Sequence, residues 1–330
     1  MMKSIKEIRV IAATAMAVIL LAGCEKESNN VVENGPVAAG FTSTIAGMTS
    51  GHGSSGGSGT DGTANTRAAG TAWTANDEIG ITATHATTGA KLLDNAHYLT
   101  PNGDGKFEAA DGSVFYFTDN AEVVFTAYYP RTAPEKLENG IVKNVRTDAT
   151  KQTPANQPKI DFLFATAKGS AASPDVRLQF RHCMSRLVLN FKPGEGIGTL
   201  DDIEYSLSEI ALGGTFNTLT GEATTINAPG TVTAITLTVP GNGAAELSSP
   251  LILFPQQGDN VRTLKLTMRG TTYNATFRLP QNPQNNNVRE LLAGHSYTYN
   301  VKINNTTMTI SQATISDWGD GGSENIDSTN

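Results

Sequence analysis

Val176-Arg177-Leu178-Gln179-Phe180 alternates apolar and polar side chains, and Leu187-Val188-Leu189-Asn190-Phe191 nearly does the same a few residues later. A period of two puts every second side chain on one face, as in a strand with one buried and one wet face. Working toward the N-terminus, short apolar runs of the same kind recur at 162–165, 123–129, 114–117, 98–100, 106–108, 79–83 and 37–46. Pro101-Asn102-Gly103-Asp104-Gly105 between two of them is a strong turn signal. Working toward the C-terminus, runs follow at 203–207, 209–212, 214–217, 233–239, 251–254, 261–268, 273–279, 296–303 and 308–315. The one helical candidate is 286–293, and it is short. Many short strands separated by turn residues predict an all-β protein built as sandwich or barrel. Pro193-Gly194-Glu195-Gly196 divides the series, so two β-domains are expected, 37–195 and 196–318, followed by a polar tail at 319–330.

The balance of 24 Lys+Arg against 31 Asp+Glu leaves a net charge of −7. A phosphate-binding face needs basic excess, so nucleic acid is excluded as the partner. Past the first two dozen residues no apolar run approaches the ~20 residues of a spanning helix, which excludes a polytopic helical membrane protein.

The first residues set the address. Lys3, Lys6 and Arg9 precede an apolar run at 10–21, which ends in Leu21-Ala22-Gly23-Cys24. A basic start, a short apolar run and a small-residue site make a secretory leader. Leu-Ala-Gly-Cys resembles the bacterial lipobox, which implies lipidation of Cys24 as the new N-terminus. Several acyl chains would then hold the chain on a bilayer, because each buried CH₂ contributes ~0.8 kcal/mol. Loss of 1–23 removes three positive charges and one negative one, taking −7 to −9. Residues 24–36 read as a polar tether. With Cys24 acylated, Cys183 has no partner, and it reads as a small buried apolar residue.

Residues 49–70 are rich in Gly, Ser and Thr and predict a flexible, exposed loop within the first domain. They contain Arg67-Ala68, and Arg67 is the only Arg between Arg9 and Arg131.

Chemistry-bearing motifs are weak. No two of the five His (His52, His85, His97, His182, His295) stand at metal-ligand spacing, and neither a nucleophile elbow nor a phosphate loop is present. No cofactor, metal or catalytic residue is therefore assigned. The stretch 102–107 faintly resembles a calcium loop but lacks its closing Glu, and reads as a hairpin turn. Trp73 and Tyr128-Tyr129 are either a sugar-stacking platform or core staples, the second being the commoner use of such rings.

Several segments together resemble the fimbrillin family, subunits of type V pili and related lipoprotein adhesins. They are Trp73-Thr74-Ala75-Asn76-Asp77-Glu78-Ile79-Gly80-Ile81, Phe125-Thr126-Ala127-Tyr128-Tyr129-Pro130, Asp161-Phe162-Leu163-Phe164-Ala165 and His182-Cys183-Met184-Ser185-Arg186-Leu187. Further along come Gly213-Gly214-Thr215-Phe216-Asn217, Leu253-Phe254-Pro255-Gln256, Ala293-Gly294-His295-Ser296-Tyr297 and the closing Ile315-Ser316-Asp317-Trp318. The resemblance implies two tandem transthyretin-like Greek-key β-sandwich domains and display on the outer membrane through lipid at Cys24. It also implies assembly with other pilus subunits or copies of itself, and contact with host or bacterial surface ligands. In the family's scheme a protease cuts after an early Arg, the first strand leaves, and a neighbour's C-terminal strand fills the slot. Here the resemblance assigns the leaving strand to 37–46, the cut to Arg67-Ala68 and the donor strand to 307–318, with Met308, Ile310, Ile315 and Trp318 as its apolar side chains. Neither face of that donor is uniformly apolar, so the segment reads equally as the strand that closes its own domain. A glycan-binding surface lipoprotein without pilus assembly is the alternative function.

Overall fold

The structure, a computed structural model, describes residues 35–46, 72–226 and 234–318. The leader, most of the tether, the Gly/Ser-rich stretch and the polar tail lie outside these residues, as do Cys24, Arg67 and Ala68.

The described residues form strands with three single turns of 3-10 helix and no α-helix. The first strands are β1 (Val37–Ala38), β2 (Gly40–Ile45), β3 (Asp77–His85), β4 (Lys91–Thr100), β5 (Lys106–Ala109), β6 (Tyr116–Phe117), β7 (Val123–Tyr129), β8 (Leu137–Glu138) and β9 (Ile141–Arg146). Then come β10 (Leu163–Gly169), β11 (Asp175–His182), β12 (Ser185–Pro193), β13 (Ile203–Ser208), β14 (Gly213–Asn217), β15 (Glu222–Thr225), β16 (Ala234–Val239) and β17 (Leu247–Leu253). The last are β18 (Gln256–Gln257), β19 (Arg262–Met268), β20 (Thr271–Phe277), β21 (Gln281–Asn282), β22 (Asn285–Leu291), β23 (His295–Ile303), β24 (Met308–Ile310) and β25 (Thr314–Asp317).

The all-β expectation holds, and the N-terminal strands close on themselves. β10-β11-β2-β5-β4-β3-β7 make a closed barrel, which leaves no open edge in that circuit. The alternation at 176–180 does what its period predicts: Val176, Leu178 and Phe180 point inward, while Arg177 and Gln179 face water. The barrel core is aromatic, with Phe41, Tyr98, Phe107, Phe117, Phe125 and Phe180 among its buried side chains. The C-terminal strands form two further sheets, β17-β12-β23-β24/β25 and β16-β13-β19-β20, over a second core containing Leu187, Leu189, Phe191, Tyr205, Leu264, Tyr297 and Tyr299.

A third sheet, β15-β14-β9-β8, pairs Gly213–Asn217 with Ile141–Arg146 and so ties residues on both sides of position 195 to one ladder. Beneath it lies a third cluster, with Tyr128, Phe162, Phe164, Met184, Phe216, Phe254 and Trp318. This cluster is the seam between the two larger cores.

The structure corrects two local expectations. Residues 286–293, expected as helix, belong largely to β22, which pairs with β18 and β21. Residues 209–212 are not a strand: Glu209 adopts φ 59°, which breaks extended pairing. The turn at 102–107 is the β4–β5 connection. Gly103 and Gly105 take φ 68° and 78° there, and the Asp104 carboxylate accepts from the Lys106 amide. Among the described residues no group of three or more His, Cys, Asp or Glu is placed to hold a metal ion.

Candidate assembly site

The first strand is built into the barrel wall. β2 runs parallel to β11 from Gly40↔Asp175 to Ile45↔Phe180, and meets β5 only at Phe41↔Phe107 and Thr42↔Lys106. Backbone amides extend the grip: Ala39 donates to the Phe115 carbonyl (2.9 Å), Gly40 to Pro174 (3.0 Å), Ser43 to Gly105 (2.8 Å) and Ala46 to Phe180 (2.8 Å). Its inward side chains are Phe41 and Ile45, with Ala39 just before it, and all three are buried. Phe41 packs edge-on to Tyr98 (centroids 5.0 Å apart) and Phe125 (5.2 Å). Burying Phe41 and Ile45 stabilises the barrel by ~1.5–3 kcal/mol each relative to exposure. Without β2, residues 175–180 of β11 lose the strand they pair with. The vacated slot would present unpaired backbone groups over an aromatic floor.

The C-terminal strand closes its own fold. β24 pairs with the end of β23 (Ile303↔Met308 to Val301↔Ile310), and β25 pairs with its beginning (Thr298↔Thr314 to His295↔Asp317). Along β23, positions 301 and 298 are three residues apart, whereas their partners 310 and 314 are four apart. The extra residue is a bulge, and a bulge reverses the alternation of faces. Met308 and Ile315 therefore both reach the second core, although strict alternation would put them on opposite faces. Ile310 packs partly buried against that core, and Trp318 enters the seam cluster. At the bulge the Asn300 amide donates to the Ser311 hydroxyl (2.9 Å) and the Ser311 amide to the Asn300 carbonyl (2.9 Å).

A family model described as fimbrillin-like matches residues 66–318. The chain belongs to the fimbrillin-like family. Among solved structures, a "putative cell adhesion protein" from Bacteroides ovatus is similar at TM-score 0.67 and 27% identity, over 86% of this chain and 98% of that one. A second protein of the same description, from Bacteroides uniformis, is similar at TM-score 0.62 and 24% identity, over 86% and 99% of the two chains, and shares the fold. No curated protein matches.

In this fimbrillin-like chain Trp73 and Tyr128 are core residues, not a platform for sugars. Trp73 sits edge-on to Phe107, Tyr129 and Phe180 at 5.2–5.5 Å, and the buried Tyr128 hydroxyl donates to Asn95 Oδ1 (2.8 Å). A cavity of about 380 Å³ lies between β15 and β18, lined by Glu209, Glu222, Arg262 and Glu290 with Ala211 and Leu291.

Sequence reasoning missed a buried polar cluster at the seam. His182 Nδ1 lies 3.0 Å from Asp161 Oδ1, and both side chains are fully buried. The His182 ring stacks on Trp318 with centroids 4.1 Å apart and planes 4° from parallel. Burial pushes the Asp161 carboxyl above its ordinary range, against the opposing pull of His182 and Arg186. Next in sequence, burial pushes the Cys183 thiol up to about 12. The residues appear in three of the quoted motifs, but no spacing brings 161, 182 and 318 together; only the fold does.

Proposed function

We propose that this chain is a structural or accessory adhesive subunit of a type V pilus, displayed at the cell surface through lipid on Cys24. Cleavage after Arg67 would free the first strand, and donor-strand exchange would then join subunits. The observation that carries this reading is the placement of β2. It is an integral barrel strand, yet its sole covalent link onward is the Gly/Ser-rich stretch holding the single Arg of that region. The family match begins at residue 66, beside that Arg, which supports the same division. An incoming strand would satisfy the unpaired edge of β11 and fill the Phe41 and Ile45 positions together, the physics of β-strand addition. The subunit's own 307–318 segment is the donor on this reading, with Met308, Ile310, Ile315 and Trp318 as its apolar side chains, and it must first leave β23. Residues 37–195 and 196–318 are the two proposed units, with 24–36 as tether; β12, at the end of the first, is paired with β17 and β23 of the second, and the β14–β9 ladder adds a further tie. The partners are copies of this chain or other pilus subunits, and membrane lipid; surface ligands on host or bacterial cells would be contacted by the assembled fibre.

The test is limited proteolysis of the native chain with a trypsin-like protease. One early cut after Arg67, followed by ladders that survive unheated SDS gels, is the expected result. A cut chain that stays monomeric at high concentration removes the polymer reading.

A further inference from the structure

We propose that the His182–Trp318 stack is a latch that couples the two ends of the chain. It holds the C-terminal strand on its own fold while β2 is in place and loosens it when β2 leaves. The inference rests on the strand-exchange reading above and adds to it the order of events within one subunit.

The latch lies at the end of the strand that β2 supports. From 175 to 180, β11 is paired with β2, whereas its ladder with β10 covers only Phe164↔Arg181 and Leu163↔His182. Loss of β2 therefore leaves β11 attached to its neighbours at its last two residues alone. His182 is the final residue of that strand. Its ring is the surface on which Trp318 lies, and Trp318 follows directly on β25. The Trp318 amide donates to the Gly294 carbonyl (2.7 Å), and the Gly294 amide donates to the Met184 carbonyl (2.8 Å). The anchor of the C-terminal strand thus runs through Gly294 to Met184, two positions from His182. From Trp318 backward, β25 zips onto β23, beginning at Asp317↔His295.

The latch is also held at a cost. Trp318 Nε1, His182 Nε2 and Asp161 Oδ2 are buried and, among the described residues, have no hydrogen-bond partner. Buried polar atoms left unpaired are destabilising, and water gains access to them once the stack opens. A stack that is closed by packing and strained by its polar atoms is suited to release on a small displacement of β11. Cooperative units of this kind open locally at free energies below that of global unfolding.

The experiment is hydrogen–deuterium exchange on the full mature chain, before and after cutting at Arg67 and removal of the fragment that ends there. Loss of β2 is followed by mass. The expected result is exchange at 308–317 that rises on the order of tenfold once the fragment is gone, while 262–277 in β19 and β20 is unchanged. In the uncut chain, Trp318→Ala raises exchange at 308–317 without any cut. A fragment that leaves while 308–317 stays protected overturns the latch and leaves strand exchange standing. If the fragment is cut but never leaves, strand exchange fails, and the uncut Phe41→Ala chain decides the latch. Raised exchange at 308–317 with 262–277 unchanged supports it, and unchanged exchange at 308–317 overturns it. A Trp318→Ala chain that exchanges faster everywhere, 262–277 included, also counts against it, because Trp318 is then a general core residue.

Discussion

Phe41 meets Phe125 edge to face, with ring centroids 5.2 Å apart and planes at 78°. One ring comes from the first strand and the other from β7 across the barrel, so the first strand supplies part of the core it would abandon. Truncating a buried Phe to Ala costs ~3–5 kcal/mol. Phe41→Ala is expected to lower the unfolding free energy of the uncut chain, taken from the urea midpoint and slope, by that amount. The same substitution leaves the cut chain without its fragment unaffected, because the side chain is no longer there to lose.

Cys183 is fully buried, and its thiol is pushed up to about 12. The thiolate is the reactive form, and at about pH 8 only about one molecule in 10⁴ carries it. A Cys24→Ser chain is expected to show no reaction with a thiol reagent such as Ellman's when native, and one thiol when unfolded in guanidinium. Reaction of the native chain at the rate of an exposed thiol contradicts this burial.

Burial raises the Asp161 carboxyl above its unfolded value of ~3.9, so the folded state holds the proton more tightly than the unfolded one. The contribution of Asp161 to stability is then full below about pH 4 and declines as pH rises through the raised value. Asp161→Asn cannot titrate and lacks that decline. Urea midpoints measured across this range are expected to shift against the wild type, relative to Asp161→Asn, as pH increases. Parallel curves would show that the carboxyl does not titrate abnormally.

Gly214 stands in β14 opposite Thr225 of the neighbouring β15, and against Phe254 of the seam cluster. A Cβ there would press into the Thr224 carbonyl oxygen and the Phe254 ring. Backbone cannot yield as a flexible side chain does, and overpacking of this kind costs ~1–3 kcal/mol. Gly214→Ala is expected to lower the melting temperature, whereas alanine at Gly198, which has open space around it, leaves it unchanged.

How much of this could be read beforehand depends on the residue pattern. The clean alternation of 176–180 announced β11, and the runs at 123–129 and 296–303 announced β7 and β23. The start of β4 escaped notice because Lys91, Asp94 and Asn95 interrupt its apolar side chains. Asn95 takes φ 47° beside a register shift, which also erases the period. β9 was missed because Val145 alone among its side chains is buried, and Lys143, Asn144 and Arg146 face water. Neither face of 308–318 is uniformly apolar under strict alternation because the bulge at 311–313 reverses parity, and no local residue marks it. The first strand and its Arg-containing link were visible because both are local features. The His182–Asp161–Trp318 cluster was not, since its members are far apart in sequence and meet only through tertiary packing.

The central claim is that the slot occupied by β2 accepts and exchanges a strand. The direct measurement is calorimetric titration of the full chain, cut after Arg67 and stripped of its fragment, with a synthetic peptide of residues 37–46. The account predicts one-to-one binding, weakened at least tenfold by Phe41→Ala in the peptide, on the scale of losing a buried anchor side chain. A cut chain that keeps its β-sheet circular dichroism yet takes up no peptide contradicts it.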